Sequence, residues 1–275
     1  SQLNASLASY GDLRRYNTII VPSGRSLNEY TLKILKDWVS QGGTLIAHNS
    51  STRSLASDKG IGSVKQLQNT FENSKEYNFD LMREIYALDN DINKDMTNEN
   101  NVNFELSYPW EEIEGFLSEN ELKDRDKWQS IFMPSGSFVA GRIDNEHWLT
   151  FGTTETIPVL YSNYPILMTR SNSDAPVRIG NMIPNDEIDV PRVVNWSSIP
   201  AGFDLNVRMS GLVWPEASQR IANSAYLTRE RVGNGQVILF SGEPNFRGAT
   251  LGTNRLWLNA IVYGPGLGTR SKIDL

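Results

Sequence analysis

Residues 16–48 constrain the fold more than any other stretch of the chain. Tyr16-Asn17-Thr18-Ile19-Ile20-Val21-Pro22-Ser23-Gly24 is a β-branched run stopped by proline and glycine, the pattern of a buried strand that ends in a loop. Ser26 with Glu29 three residues later forms a capping box, which predicts a helix start. Leu27, Tyr30, Thr31, Ile34, Leu35 and Trp38 then fall on one helical stripe. Gly42 stands where a left-handed helix stop belongs, and Thr44-Leu45-Ile46-Ala47 reads as a second buried strand. A crossover helix of this length makes the two strands parallel neighbours.

A second informative stretch is Gly233 to Gly248. Gly233-Asn234-Gly235 is a tight turn, and Val237-Ile238-Leu239-Phe240 is a continuous apolar run that fits a strand buried on both faces. Tyr226 to Val232 alternates in polarity and can pair with residues 236–241 through that turn. Beyond the strand lies a polar loop, and then a helical pattern from Leu251 to Tyr263. Open α/β sheets place ligands at the carboxyl ends of their strands, so Glu243, Asn245 and Arg247 form one candidate wall of a site. His48-Asn49-Ser50-Ser51 follows the second strand in the same way.

The remaining segments are less patterned. Residues 57–105, rich in Asn, Asp, Glu, Lys and Ser, read as a polar insertion with helix around Phe79 to Leu88, and Asp89 to Asn103 is polar enough to be mobile. Trp110 to Leu122 reads as helix, with Pro109 ahead of it and a carboxylate-rich first turn. Ser137 to Ile143 reads as a strand, and Val159-Leu160-Tyr161 and Ile166-Leu167-Met168 as short strands. Residues 153–206 otherwise read as an insertion of loops and short strands, and Glu216 to Ala225 as a helix with Ile221 and Ala222 inward.

The 275 residues are 39% hydrophobic and 21% charged, ordinary globular values, with a net charge of −6. An acidic chain argues against nucleic acid as the partner. With no cysteine there can be no disulfide, thiolate metal site or thiol nucleophile. No run approaches the roughly 18 apolar residues of a membrane span. The first residues lack the charged and apolar regions of a signal peptide, and the missing initiator methionine suggests an excised fragment.

The two histidines, His48 and His147, lie outside metalloprotease spacing, so no metal site is expected. Ser50 and Ser51 follow a strand, but no G-x-S-x-G elbow is present, and His48 is too near in sequence to serve them as base. Glu111, Glu112 and Glu114 read as a solvated helix face, and Arg229 and Arg231 as surface charge. Gly233-Asn234-Gly235 precedes a strand, whereas phosphate loops follow one. Of the seven tryptophans, Trp38 and Trp257 occupy core positions of helices, which leaves Trp110, Trp148 and Trp214 to line a carbohydrate or peptide cleft.

The run Tyr16 to Gly24, the stretch Trp38 to Ala47 and the closing Gly235 to Phe240 resemble a class I glutamine amidotransferase-like domain. More narrowly, Gly211-Leu212-Val213-Trp214-Pro215, Glu243 to Gly248, Arg255 to Ala260 and Pro134 to Gly152 resemble the C-terminal region of bacterial zinc carboxypeptidase-like proteins. Related domains occur in some β-galactosidases and sugar-utilisation proteins. The resemblance implies a single three-layer α/β/α domain over residues 1–275, flavodoxin-like, with a mostly parallel sheet and insertions. It implies a secreted or periplasmic location and a catalytic domain of the same parent protein as partner. The amidotransferase family uses a cysteine on the turn after a strand and a His-Pro-Glu after a later strand. Here Asn49 or Ser50 holds the first place and Glu243-Pro244-Asn245 the second.

The thiolate and the proton-carrying imidazole of glutamine hydrolysis are therefore both missing. The expectation is a non-catalytic accessory domain without cofactor. Its inherited cleft would be lined by Asn49, Ser50, Glu243, Asn245 and Arg247, with Arg247 able to take a carboxylate of a peptide or small molecule. The bland alternative is that Glu243 and Arg247 pair and cap the following helix. Two further expectations are a hydrolase or glycosidase using carboxylates in that cleft, and a protein-interaction module.

Overall fold

The three strands that meet at the candidate site run in one direction. The computed structural model describes residues 13–24, 26–89, 117–194 and 196–270. Strand β1 (Thr18–Val21), helix α1 (Glu29–Ser40) and strand β2 (Thr44–His48) form the expected crossover, with β1 and β2 parallel. Strand β14 (Gly235–Phe240) lies on the other side of β2, also parallel, in register from Gln236 opposite Thr44 to Phe240 opposite His48. This common register brings the chain after Val21, His48 and Phe240 to one end of the sheet.

Every residue of β14 is buried, as its apolar run requires. Leu45, Ala47, Val237 and Leu239 face Leu32, Leu35, Trp38 and Val39 of α1. Ile46, Ile238 and Phe240 belong to a second core with Leu256 and Ala260 of helix α6 (Leu251–Tyr263). Two helices thus cover opposite faces of the parallel strands.

Helix α1 starts differently from the sequence expectation. Its N-cap is Asn28, whose Oδ1 accepts the Thr31 N–H at 2.8 Å. Ser26 is not the cap because its hydroxyl is engaged with Ser54 Oγ at 3.1 Å. Gly42 has φ +123, consistent with the predicted stop.

The sheet is mixed, not mostly parallel. Its order is β1-β2-β14-β13-β7-β4-β12, with β13 at Ala225–Val232, β7 at Asp174–Ile179, β4 at Ser137–Ile143 and β12 at Arg208–Ser210. From β14 to β12 every pairing is antiparallel, as is that of β5 (Thr156–Tyr161) with β4. The expected hairpin forms through the two-residue loop Gly233-Asn234. A Cβ on Gly235 would lie 2.1 Å from the Val39 carbonyl oxygen, so glycine is what lets the hairpin close against α1.

The stretch read as a polar insertion contributes core. Helix α3 (Ser74–Asp89) contains the expected helix, and Leu67, Phe71, Tyr77 and Leu81 are buried in the core shared with β4 and β5. Residues 90–116 of the chain, including Trp110, Glu111, Glu112 and Glu114, lie outside the described residues. Helix α4 (Glu119–Ser130) begins at a capping box of Ser118 and Glu121. Residues 153–206 supply β5 and β7 of the main sheet as well as short strands. Helix α5 (Pro215–Ile221) is shorter than expected because Ala225 already belongs to β13. Its Arg220 pairs with Asp126 of α4 through two bonds of 2.8 and 3.2 Å, both side chains being buried. No helix among the described residues is long and apolar enough to cross a membrane.

Candidate functional site

The site is built from the loops that leave β2 and β14. His48 ends β2 in extended conformation, and Asn49 then takes φ +53 before a helical turn, Asn49–Ser51, that runs into α2 (Thr52–Leu55). A non-glycine residue in the left-handed region costs roughly 1 kcal/mol, and asparagine tolerates it better than most. The turn is held by side chains. Ser51 Oγ reaches the carbonyls of Val21 at 3.0 Å and His48 at 2.8 Å, and Thr52 Oγ1 donates to the Asn49 carbonyl at 2.6 Å.

Asn49 and Glu243 meet across the end of the sheet. Asn49 Nδ2 donates to Glu243 Oε1 at 3.0 Å, joining residues 194 positions apart. Ser50 turns toward the loop after β1. Its hydroxyl lies 3.0 Å from Ser23 Oγ, accepts the Gly24 N–H at 2.9 Å and reaches the Gly24 carbonyl at 3.2 Å. A hydroxyl so engaged, with no imidazole among those partners, lacks the base that would activate it as a nucleophile.

Asn245 and Arg247 are exposed on the loop between β14 and α6. Arg247 has φ +49, and its guanidinium lies 5.1 Å from the centre of the Phe246 ring. Among the described residues no ion pair joins Arg247 to Glu243, so the pairing expected as the bland alternative does not form. Nor does either residue cap α6: Thr253 does the tethering, donating from Oγ1 to the Pro244 carbonyl at 2.7 Å. The structure thus brings Asn49 and Glu243 together, directs Ser50 to an adjacent loop, and leaves Asn245 and Arg247 on the rim.

Four ring side chains, His48, Phe240, Tyr164 and Trp257, complete the surroundings. The His48 ring meets Trp257 of α6 edge to face at 5.4 Å, and Trp257 in turn meets Phe240 at 5.6 Å. Burial lowers the His48 pKa, and the nearby Glu243 carboxylate only partly opposes it, so the imidazole is neutral near pH 7. His48 Nδ1 is buried without a hydrogen-bond partner. The Tyr164 phenol is raised by burial and then by Glu243. The sequence reading assigned no role in the site to His48, Tyr164 or Trp257. The matching ends of β2 and β14 were the signal that could have placed His48 beside the site; nothing local marks Tyr164.

His147 belongs to a different neighbourhood. Its Nδ1 accepts the Leu149 N–H at 3.1 Å and its Nε2 lies 3.5 Å from Asp174 Oδ2, so both ring nitrogens are occupied. That bond, with Arg229 contributing, lowers the Asp174 pKa against the effect of burial. A pocket of about 340 Å³ opens there, lined by His147, Asp174, Arg170, Asp80 and Arg83 among others. A wider cleft of about 710 Å³ runs along Thr150 to Thr156. Neither is lined by a candidate residue. Among the described residues no group of histidines and carboxylates is arranged to hold a metal ion.

No protein-family model and no curated protein matches the chain. Among solved structures it is similar to Cytoplasmic Protein STM3548 from Salmonella typhimurium, at 12% identity and a TM-score of 0.39, over 94% of this chain and 76% of that one.

Proposed function

We propose that this chain is a catalytically degenerate, class I amidotransferase-like α/β domain, an accessory module of a larger zinc carboxypeptidase-like protein that binds a ligand at the ends of β2 and β14. The observation that carries the reading is the Asn49 turn. It has the strand, left-handed residue and helix of a nucleophile elbow, with an amide where the attacking group would stand. Asn49 spends its amide on Glu243, and Ser50 is bound to the loop after β1. The half-buried His48 imidazole has no partner on Nδ1 and is not among the partners of the Ser50 hydroxyl.

The polar groups left for a ligand are Asn245, the outer edge of Glu243 and the Arg247 guanidinium. A carboxylate-terminated peptide fits that set, because arginine takes a carboxylate through two parallel bonds. Glu243 is bonded to the Asn49 amide and acts electrostatically on His48 and Tyr164, with no second carboxylate among these neighbours, which favours binding over two-carboxylate glycosidase chemistry.

The experiment is a titration of short peptides with free and with amidated C-termini against the chain and its Arg247→Ala variant, together with an ammonia-release assay on glutamine. Preference for the free carboxylate, lost in the variant, and no ammonia release are the expected results. Glutamine hydrolysis that disappears in Glu243→Gln would overturn the reading, as would peptide binding indifferent to both Arg247 and the terminal carboxylate.

A further inference from the structure

A second concave site opens toward the end of the sheet opposite Asn49 and Glu243. Strand β7 runs antiparallel to β13, and β13 antiparallel to β14, so Asp174, the first residue of β7, lies toward the end where β14 begins. The pocket of about 340 Å³ beside it is bounded by helix α3, the turn before β7 and the loop after β4. That volume falls within the roughly 300–1,000 Å³ of small-molecule sites. The lining is polar except for Ala175, which sets it apart from an apolar cleft.

Most charges of the pocket already have partners. Asp174 Oδ2 lies 3.2 Å from Arg229 Nη1 and 3.5 Å from His147 Nε2. Arg170 reaches Glu76 at 2.6 Å and Asp80 at 3.3 Å, and Asp80 also accepts the Ser171 N–H at 3.1 Å. Two charges are left over, of opposite sign and on different walls. Arg83 extends from α3 with its guanidinium 5.7 Å from the centre of the Phe79 ring, and it has no ion-pair partner among the described residues. Asp144 follows β4 and accepts the Glu146 N–H on Oδ1 at 3.0 Å; its carboxylate likewise has no ion-pair partner among the described residues. Thr169 adds a fixed hydroxyl. It is 2% exposed, and its Oγ1 accepts from the buried Arg178 at 3.0 Å, so its own proton remains to be donated.

We propose that this pocket binds a small zwitterion, a molecule carrying one ammonium and one carboxylate group, as free amino acids and dipeptides do. Arg83 takes the carboxylate through its guanidinium, Asp144 takes the ammonium on its carboxylate, and Thr169 donates to the body of the ligand. An anion alone would bring its charge up to Asp80, Asp144 and Asp174, and a cation alone would meet Arg83 and Arg170. A metal ion finds no suitable set of ligands among the described residues. The proposal shares no residue with the wall at Glu243 and does not depend on the amidotransferase-like reading.

The test is a calorimetric titration of the full chain carrying Arg247→Ala, which silences the carboxylate-binding group suggested for the other site. The probes are serine, seryl-serine, N-acetyl-seryl-serine, which lacks the ammonium, and seryl-serine amide, which lacks the carboxylate. Expected is binding of serine or seryl-serine with a Kd of about 1 mM or tighter, and binding of both blocked forms weaker by about tenfold or more. Serine bound in preference identifies the ligand as a free amino acid, and seryl-serine in preference as a peptide with both ends free. Arg83→Gln and Asp144→Asn should each weaken the zwitterion about tenfold, and Arg83→Lys should recover part of the first loss. Asparagine at 144 can still accept the Glu146 N–H, and circular dichroism checks that each variant folds. Blocked forms that bind as well as the zwitterions overturn the proposal. So does the absence of binding by both zwitterions, or binding indifferent to Arg83→Gln and Asp144→Asn.

Discussion

The parallel and antiparallel halves of the sheet do different work. In the parallel half, β1, β2 and β14 are short, apolar and in common register, and their carboxyl ends hold Asn49, Ser50 and Glu243 within hydrogen-bond reach of one another or of neighbouring loops. In the antiparallel half and the helices packed on it, several buried or partly buried charges are paired inward. Asp126 pairs with Arg220, and Arg178 bonds to Thr169 Oγ1 at 3.0 Å and the Asn223 carbonyl at 3.3 Å. Arg142 reaches Asn223 Oδ1 at 2.6 Å. Strained backbone with a polar side chain aimed across a strand end belongs to sites, while buried charge with every partner supplied belongs to scaffolds.

That contrast predicts an order of effects. The largest falls on the scaffold: Asp126→Ala strands the buried Arg220 guanidinium and should cost about 3–5 kcal/mol in urea unfolding. Replacing both partners together, Asp126→Leu with Arg220→Met, should recover much of that loss; equal cost for single and double variants would show that the pair is not what matters. Next is Gly235→Ala, whose Cβ would meet the Val39 carbonyl at 2.1 Å; a loss of about 3 kcal/mol is expected from forced overlap at a packed contact. Asn49→Ala keeps the left-handed strain and loses the bond to Glu243, at about 2 kcal/mol, whereas Asn49→Gly loses the bond but relieves the strain, at about 1 kcal/mol. If the two variants unfold together, the turn is not strained and the division drawn above loses its basis.

The smallest effect is a pH dependence. The folded pKa of His48 lies below its unfolded value of 6.5, so the folded state binds fewer protons in the window between them. Stability should therefore fall as pH drops below about 6.5 and level off below the folded pKa. His48→Phe should flatten that limb of the curve. Asp174 acts lower, since its depressed pKa contributes stability above 3.8 that is lost as pH falls through the folded value. The two limbs separate in thermal melts measured across pH.

The sequence revealed the parallel half because its logic is local. A strand, an amphipathic helix and a strand within 33 residues admit one handed arrangement, and the buried run at Val237 to Phe240 could only join a covered sheet. The hairpin at Gly233-Asn234 was equally legible. The antiparallel half was not, because β7 pairs with β4 and β13 across long intervals, and segments such as Asp174 to Ile179 show no clean alternation. The same limit applies to the site. Asn49, Ser50 and Glu243 were visible as residues following strands. Their division of labour was not, since it depends on register across almost 200 residues and on Ser23 and Gly24 claiming the Ser50 hydroxyl. Helix caps fall in between: Ser26 satisfied the local pattern, but Ser54, folded back from the next helix, claimed it.

The position of β14 in the sheet has a consequence for synthesis. It inserts between β2 and β13, yet it emerges from the ribosome roughly 190 residues after β2. At about 5–20 residues per second, the inner edge of Thr44 to His48 waits some 10–40 seconds for its neighbour. During that interval the nascent chain presents an apolar strand with one unpaired edge, the kind of surface that chaperones cover. Asn49 is translated early and Glu243 late, so the bond between them forms only once β14 slides into place.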